Sequence, residues 1–169
     1  TTQGNDQEAD CEPCGTGTFS AQQGQSSAAT CVACPTGTYA ATIGMGLCTL
    51  CGAGKYVTTQ GSIGEADCQL CGSGTYSTQS GQSSAATCVG CGLGKYSAAV
   101  GASSAATCVD CGAGKYSDAT GVSACRLCGV GKYSLPYEPV SIPVGVQTSY
   151  STSLLSGLSC TACYDQPYS

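Results

Sequence analysis

The residues of this 169-residue chain with evident chemistry are its sixteen cysteines, and all of them fall into C-x-x-C pairs. The eight pairs are Cys11/Cys14, Cys31/Cys34, Cys48/Cys51, Cys68/Cys71, Cys88/Cys91, Cys108/Cys111, Cys125/Cys128 and Cys160/Cys163. Thiols at this spacing support three chemistries. Four of them can hold zinc, and C-x2-C-x16-C-x2-C is legitimate zinc spacing. One C-x-x-C at a helix start can run thiol–disulfide exchange. In an oxidising compartment the same residues form structural disulfides.

The rest of the sequence weighs these options. Four Cys₄ zinc sites are arithmetically available, but zinc modules inside cells usually carry many charges, and only 9% of these residues are charged. There is no histidine at all, which removes nucleophile–histidine hydrolysis. Exchange catalysis needs one motif in a βαβ setting, not eight in a glycine-rich array. The ten acidic residues are scattered and form no D-x-D calcium loop. Glu8 with Asp10, and Glu65 with Asp67, precede a cysteine in related positions and read as solvated turns. Neither a catalytic residue, a metal ligand nor a cofactor is expected, and the chain is not expected to be an enzyme.

Disulfides also answer a stability problem. The chain has one Phe, ten Tyr, no Trp and one Met. Its apolar content is mostly Ala, Val and Cys, which bury little area at about 25 cal/mol per Å². Backbone ordering costs roughly 1–2 kcal/mol per residue, so a packed core alone cannot hold the fold. Cysteine at nearly a tenth of the sequence marks a disulfide scaffold. Such scaffolds belong outside the cytosol, so the expected location is extracellular, secreted or at the cell surface. That expectation rests on the cysteines, not on a targeting segment. A net charge of −5 with five basic residues argues against nucleic acid. No apolar run approaches the roughly 20 residues of a membrane span, so none is expected within these residues.

Internal repetition organises the chain. Successive pairs start 20, 17, 20, 20, 20, 17 and 35 residues apart. Eight residues after each leading cysteine comes an aromatic: Phe19, Tyr39, Tyr56, Tyr76, Tyr96, Tyr116, Tyr133 and Tyr168. Two residues before it sits a glycine in seven units, from Gly17 to Gly131, with Gln166 in the eighth. A second glycine follows the aromatic by five residues in six units, from Gly24 to Gly121. Glycine at fixed phase implies positive φ or close chain approach. Residues 1–11, TTQGNDQEADC, match residues 58–68, TTQGSIGEADC. Residues 1–10 thus read as the end of a preceding repeat, and the parent chain is expected to extend both ways or to have been processed there. The remainder divides into repeats 1–2 (11–47), 3–4 (48–87), 5–6 (88–124), repeat 7 (125–159) with an insertion at 135–159, and the start of repeat 8 (160–169).

Helix is hard to write into this pattern, because Gly and Cys interrupt every apolar stripe. Each G-x-G-x-Y-S segment reads as a short strand bounded by turns. Such units must stack on neighbours. The expected fold is small, disulfide-rich and mostly irregular with short β strands, an elongated tandem-repeat rod with little or no helix and one aromatic packed per module. Lys55, Lys95, Lys115 and Lys132 all precede the tyrosine. Alternation along a strand sends Lys to water where Tyr faces inward. The lysines then form either a solvated edge that discourages strand pairing or a charged ladder for an acidic partner. In the insertion, Val140, Ile142, Val144 and Val146 alternate with Ser141, Pro143 and Gly145, a period-two strand pattern. It reads as a loop over the adjacent repeats, or as a self-association segment by strand addition.

The unit C-x-x-C-[GP]-x-G-x-[YF]-S, repeated over residues 11 to 134 and partly over 160 to 169, resembles the ephrin-receptor-like cysteine-rich repeat. It is also similar to the first small module of tumour-necrosis-factor-receptor domains. The resemblance implies an extracellular setting, disulfides and elongated architecture, with no ligand-binding residue to carry over. Periodicity leaves two pairings. In interlocked blocks, Cys11–Cys31 sits with Cys14–Cys34, and so on along the chain. In a ladder, Cys14–Cys31, Cys34–Cys48, Cys51–Cys68, Cys71–Cys88, Cys91–Cys108, Cys111–Cys125 and Cys128–Cys160 leave Cys11 and Cys163 over. The ladder is favoured because it closes each G-x-G-x-Y loop, as the resemblance suggests, and makes every unit equivalent.

Ser and Thr crowd the loops, as in QSSAAT before Cys31 and Cys88 and ASSAAT before Cys108. They are candidates for O-linked glycans or plain polar turns, and Asn5, the one asparagine, lacks an N-glycosylation context. The functional expectation is an extracellular structural protein, a segment of a filament, sheath or surface stalk that self-associates. The alternative is a receptor or adhesin ectodomain binding another extracellular protein through the repeat surface.

Overall fold

The computed structural model describes residues 11–135 and 160–162. The strand expected at Val140, Ile142, Val144 and Val146 lies outside the described residues, as does Cys163. The disulfide-rich, mostly irregular architecture with short strands is the one observed. The helices among the described residues are three-residue 3-10 turns.

Strands come as two-residue antiparallel pairs. One partner is always the aromatic and the residue before it. The other is the pair of residues inside the next C-x-x-C. Thr18–Phe19 pairs with Val32–Ala33, placing Phe19 opposite Val32. Thr38–Tyr39 pairs with Thr49–Leu50, and Lys95–Tyr96 with Val109–Asp110. The same scheme runs to Lys132–Tyr133 with Thr161–Ala162. A tight turn launches each aromatic strand. The Thr18 N–H donates to the Gly15 carbonyl at 3.2 Å, and the Lys95 N–H to Gly92 at 3.2 Å. Gly17 and Gly94, third in these turns, have φ of 76° and 71°, the conformation a type II turn demands and glycine supplies.

The alternation of 20- and 17-residue spacing has a local cause. Loops with a cysteine separation of 17 end in a 3-10 turn just before the leading cysteine: Ala28–Thr30, Glu65–Asp67, Ala85–Thr87 and Ala105–Thr107. The two loops with a separation of 14, Cys34–Cys48 and Cys111–Cys125, lack this turn and are three residues shorter. In the SSAAT version the second serine caps the turn. The Ser84 hydroxyl accepts from the Ala86 N–H at 3.2 Å, and the Thr87 hydroxyl donates to the Ser84 carbonyl at 2.6 Å. Ser27 and Ser104 do the same. In the GEAD version glycine stands at the cap, and the Asp67 carboxylate accepts from the N–H groups of Ile63 at 2.8 Å and Gly64 at 3.2 Å. The cap oxygen has moved from the start of the turn to its end.

The chain forms two compact units. The first comprises residues 11–71 and 77–88, the second Gly72–Tyr76 with the described residues from Val89 onward. In the first unit, four backbone hydrogen bonds join the Cys14–Cys31 loop to the Cys34–Cys48 loop. The Gly17 N–H donates to Ala40 at 2.9 Å, Cys34 to Gly17 at 2.9 Å, Gly44 to Cys14 at 2.8 Å and Ser20 to Met45 at 3.1 Å. The next junction repeats them at equivalent residues: Gly37 to Val57, Cys51 to Gly37, Gly61 to Cys34 and Ala40 to Ser62, at 2.8–3.0 Å. In the second unit, Gly94 to Ser117, Cys111 to Gly94, Gly121 to Cys91 and Ser97 to Val122 span 2.8–3.2 Å. Backbone groups at the two glycines, the trailing cysteine and the residues after the aromatic and the second glycine make the junction.

Glycine has a second duty here. A Cβ on Gly74 would lie well under 3.0 Å from the backbone of Gly121, two loops further on in the second unit. Gly17 meets Gly61, and Gly37 meets Gly81, in the same way within the first. Three alanine variants separate the effects. Gly72→Ala, with nothing near its Cβ, is expected to shift stability by less than about 0.5 kcal/mol. Gly114→Ala, with φ of 73° and open space, should cost about 1–2 kcal/mol for the left-handed backbone. Gly74→Ala should exceed both. Denaturant unfolding measures the order, and a cost at Gly74 no greater than that at Gly114 would contradict the close-approach account.

Candidate functional site

The site with chemistry is the cystine series. The structure joins Cys14 to Cys31, Cys34 to Cys48, Cys51 to Cys68, Cys71 to Cys88, Cys91 to Cys108, Cys111 to Cys125 and Cys128 to Cys160. Each bond runs from the trailing cysteine of one pair to the leading cysteine of the next, with Cα atoms 5.5–5.8 Å apart. This is the ladder and not the interlocked blocks. Cys11 is exposed and has no partner among the described residues. Among those residues no group of three or more His, Cys, Asp or Glu is placed to hold a metal.

Two cystines are each the centre of a small core. Cys34, Ala40 and Cys48 are buried together, with Phe19 and Met45 packed against them. Cys51, Val57 and Cys68 form the next cluster, with Tyr39 against it. The aromatic of one module thus lies on the cystine of the following one. It is only half-buried there, as are Tyr56, Tyr76, Tyr96 and Tyr116, and Tyr133 is exposed. The expectation of an inward-packed aromatic needs correcting on this point. The deeply buried residue is the one after it: Ala40, Val57, Ser77, Ser97, Ser117 and Ser134. These residues sit where the junction bonds are made, so small size is what the position requires. The buried hydroxyls are satisfied, one within its own loop and one by reaching back to the preceding loop. Ser117 donates to Ala119 at 2.7 Å, and Ser134 to Lys115 at 2.7 Å. The repeated serine after tyrosine was the available sequence signal, and polarity disguised it.

The lysine phase is not uniformly solvated either. Lys55 is half-buried and ion-paired with Glu65 at 2.5 Å, and Lys95 pairs with its cross-strand neighbour Asp110 at 2.6 Å. A hydrogen bond and charge attraction from Lys55 hold the Glu65 carboxyl below its ordinary value. Lys115 and Lys132 remain exposed. The acid pair beyond Gly64 therefore divides its work: Glu65 neutralises Lys55 while Asp67 caps the turn. Exposed pairs of this kind contribute little to stability.

Exposed apolar residues recur along the chain, valines at the first inner site of C-x-x-C and leucines at the second. Val32, Leu50, Leu70, Val89, Val109 and Leu127 each lie inside a C-x-x-C and are about half or more exposed, from 49% for Leu70 to 74% for Leu127. One cavity of about 360 Å³ in the second unit is lined by Tyr96, Asp110, Gly112, Lys115, Ala124 and Cys125. Its carboxylate is already engaged by Lys95.

Fold and cystine ladder together define a tandem cysteine-rich repeat. Residues 25–68 match the family described as tyrosine-protein kinase ephrin type A/B receptor-like. That stretch spans two complete cystine loops in the ladder just described, with the end of the loop before them. No curated protein matches the chain. The match and the disulfide density point to an extracellular, oxidising setting. Among the described residues no helix is long and apolar enough to cross a membrane.

Removing one rung tests its energetic weight. A Cys91→Ala/Cys108→Ala double variant opens a loop of separation 17. The expected loss is about 3 kcal/mol on the chain-entropy estimate, read as a lower denaturation midpoint. A loss under about 0.5 kcal/mol, the range of surface substitutions, would contradict a stabilising role for that rung.

Proposed function

We propose that the chain is an extracellular structural repeat segment, part of a filament, sheath or surface stalk that associates with copies of itself. The observation that carries this reading is the module junction. It is built from backbone hydrogen bonds at fixed glycines and cysteines, so modules can be added in series without redesigning the contact. Each module is separately closed by a covalent bond, which suits a part that must resist being pulled open. The reading gives the chain no catalytic role and no cofactor. The hydroxyl-rich turns before Cys31, Cys88 and Cys108 are, in this reading, places for O-linked sugars.

The exposed apolar residue inside successive C-x-x-C segments supports a protein partner, and its recurrence from one module to the next favours a repetitive partner such as another copy. A receptor or adhesin ectodomain is the second reading, supported by the same residues. Sedimentation and electron microscopy of the native protein distinguish them. Self-association that weakens at least tenfold in a Val89→Ser/Val109→Ser/Leu127→Ser variant is the expected result. Single, non-associating particles at all concentrations would overturn the filament reading and leave the receptor one.

A further inference from the structure

The SSAAT turns before Cys31, Cys88 and Cys108 each offer three hydroxyls, and the fold uses two of them. The Ser27, Ser84 and Ser104 hydroxyls accept from the N–H groups of Ala29, Ala86 and Ala106 at 3.1–3.2 Å. The Thr30, Thr87 and Thr107 hydroxyls donate to the carbonyls of those same serines at 2.6–2.9 Å. The first serine of each turn, Ser26, Ser83 or Ser103, is exposed and takes no part in these bonds. Alternation along extended chain aims it outward. Ala102, bridged to Tyr76, is 5% exposed, and the exposed Ser103 follows it. In the GEAD loop the buried bridge residue is Ser62, and the residue after it is Ile63, 59% exposed. The fold therefore needs no hydroxyl at this position. Charge separates the two versions of the loop. Residues 20–31, 77–88 and 97–108 carry no charged side chain, whereas 57–68 carries Glu65 and Asp67. Serine stands at the outward position only where the stretch has no charge of its own.

Resting on the reading of these turns as places for sugar, we propose that Ser26, Ser83 and Ser103 are the O-linked acceptors, one per turn, served by a transferase that uses a nucleoside-diphosphate sugar. The serine Oγ bonds to the anomeric carbon of the sugar as the bond from that carbon to the nucleoside diphosphate breaks. The hydroxyl proton passes to a base of the transferase. Transfer to Thr87 would replace the hydrogen that Thr87 donates and cost the turn that bond. The Ser84 oxygen is tied to the Ala86 N–H, which holds it against the turn. Ser83 is under neither restraint. Sugar at the first serine hydrates a stretch that has no charged side chain to do so, and leaves the cap intact.

Cleavage after lysine places each turn on its own peptide: 1–55, 56–95 and 96–115. The native protein is reduced, alkylated and cut, and its sugar-bearing residues are located by electron-transfer fragmentation. Sugar should sit on Ser26, Ser83 and Ser103 with at least ten times the occupancy of the second serine or the threonine of the same turn. In the full chain secreted from glycosylating cells, Ser83→Ala should strip sugar from the second of these turns, and Ser84→Ala should leave it there. Sugar on the second serine or the threonine, with the first serine bare, overturns the assignment while keeping the turns as sugar sites. Sugar-free turns on all three peptides overturn that wider reading as well.

Discussion

Covalent closure of short loops is the constraint on which the other features of this molecule depend. Eight of the eleven buried apolar residues among those described are half-cystines, and the others are Ala40, Val57 and Ala102. That set cannot supply the burial that normally offsets chain entropy. Bonds across separations of 14 or 17 residues remove much of that entropy in advance. With each loop already closed, a few backbone hydrogen bonds of ordinary strength, four at each of the three junctions described above, are enough to register it against its neighbour. Cys34–Cys48 and Cys51–Cys68 also provide the apolar floor on which Phe19 and Tyr39 rest, so there one bond serves as both staple and core.

Glycine is the complement of cysteine in this design. The glycine two residues before the aromatic turns the chain into its strand and, from Gly17 to Gly114, donates an N–H to the next loop. In Gly17, Gly37 and Gly74 it also admits the backbone of a loop two units away. A side chain at these positions would obstruct the contact by which modules register. The variable residues are consequently those on the outer edge of the short strands, where Val, Leu, Thr, Gln, Arg and Asp all occur.

Much of this was legible in the sequence. The phase of Gly17 and Gly24 announced positive φ, and both have it. The spacing of Cys14, Cys31 and Cys34 defined the repeat whose short strands are observed. What stayed hidden has physical reasons. Two-residue strands are too short to show a period, so Val32–Ala33 read as the inside of a motif and not as a pairing partner for Thr18–Phe19. The buried position after the aromatic selects size over polarity, so Ser97 and Val57 fill it equally and no hydropathy pattern marks it. The shift of the cap from Ser84 to Asp67 trades one hydrogen-bonding group for another at a different position, which composition alone does not display. Pairing of Lys55 with Glu65 depends on the fold of a ten-residue loop, beyond the reach of strand alternation.

Hydrogen exchange on the fully reduced chain tests the central claim most directly. The amides of Gly37, Cys51 and Gly61 report the junction in the first unit, and those of Gly94, Cys111 and Gly121 report it in the second. With every disulfide reduced, alkylated and any metal chelated, all six should exchange at unfolded-chain rates while the oxidised protein protects them. Retained protection in the reduced chain would show that packing and hydrogen bonding suffice without sulfur, and would contradict the account.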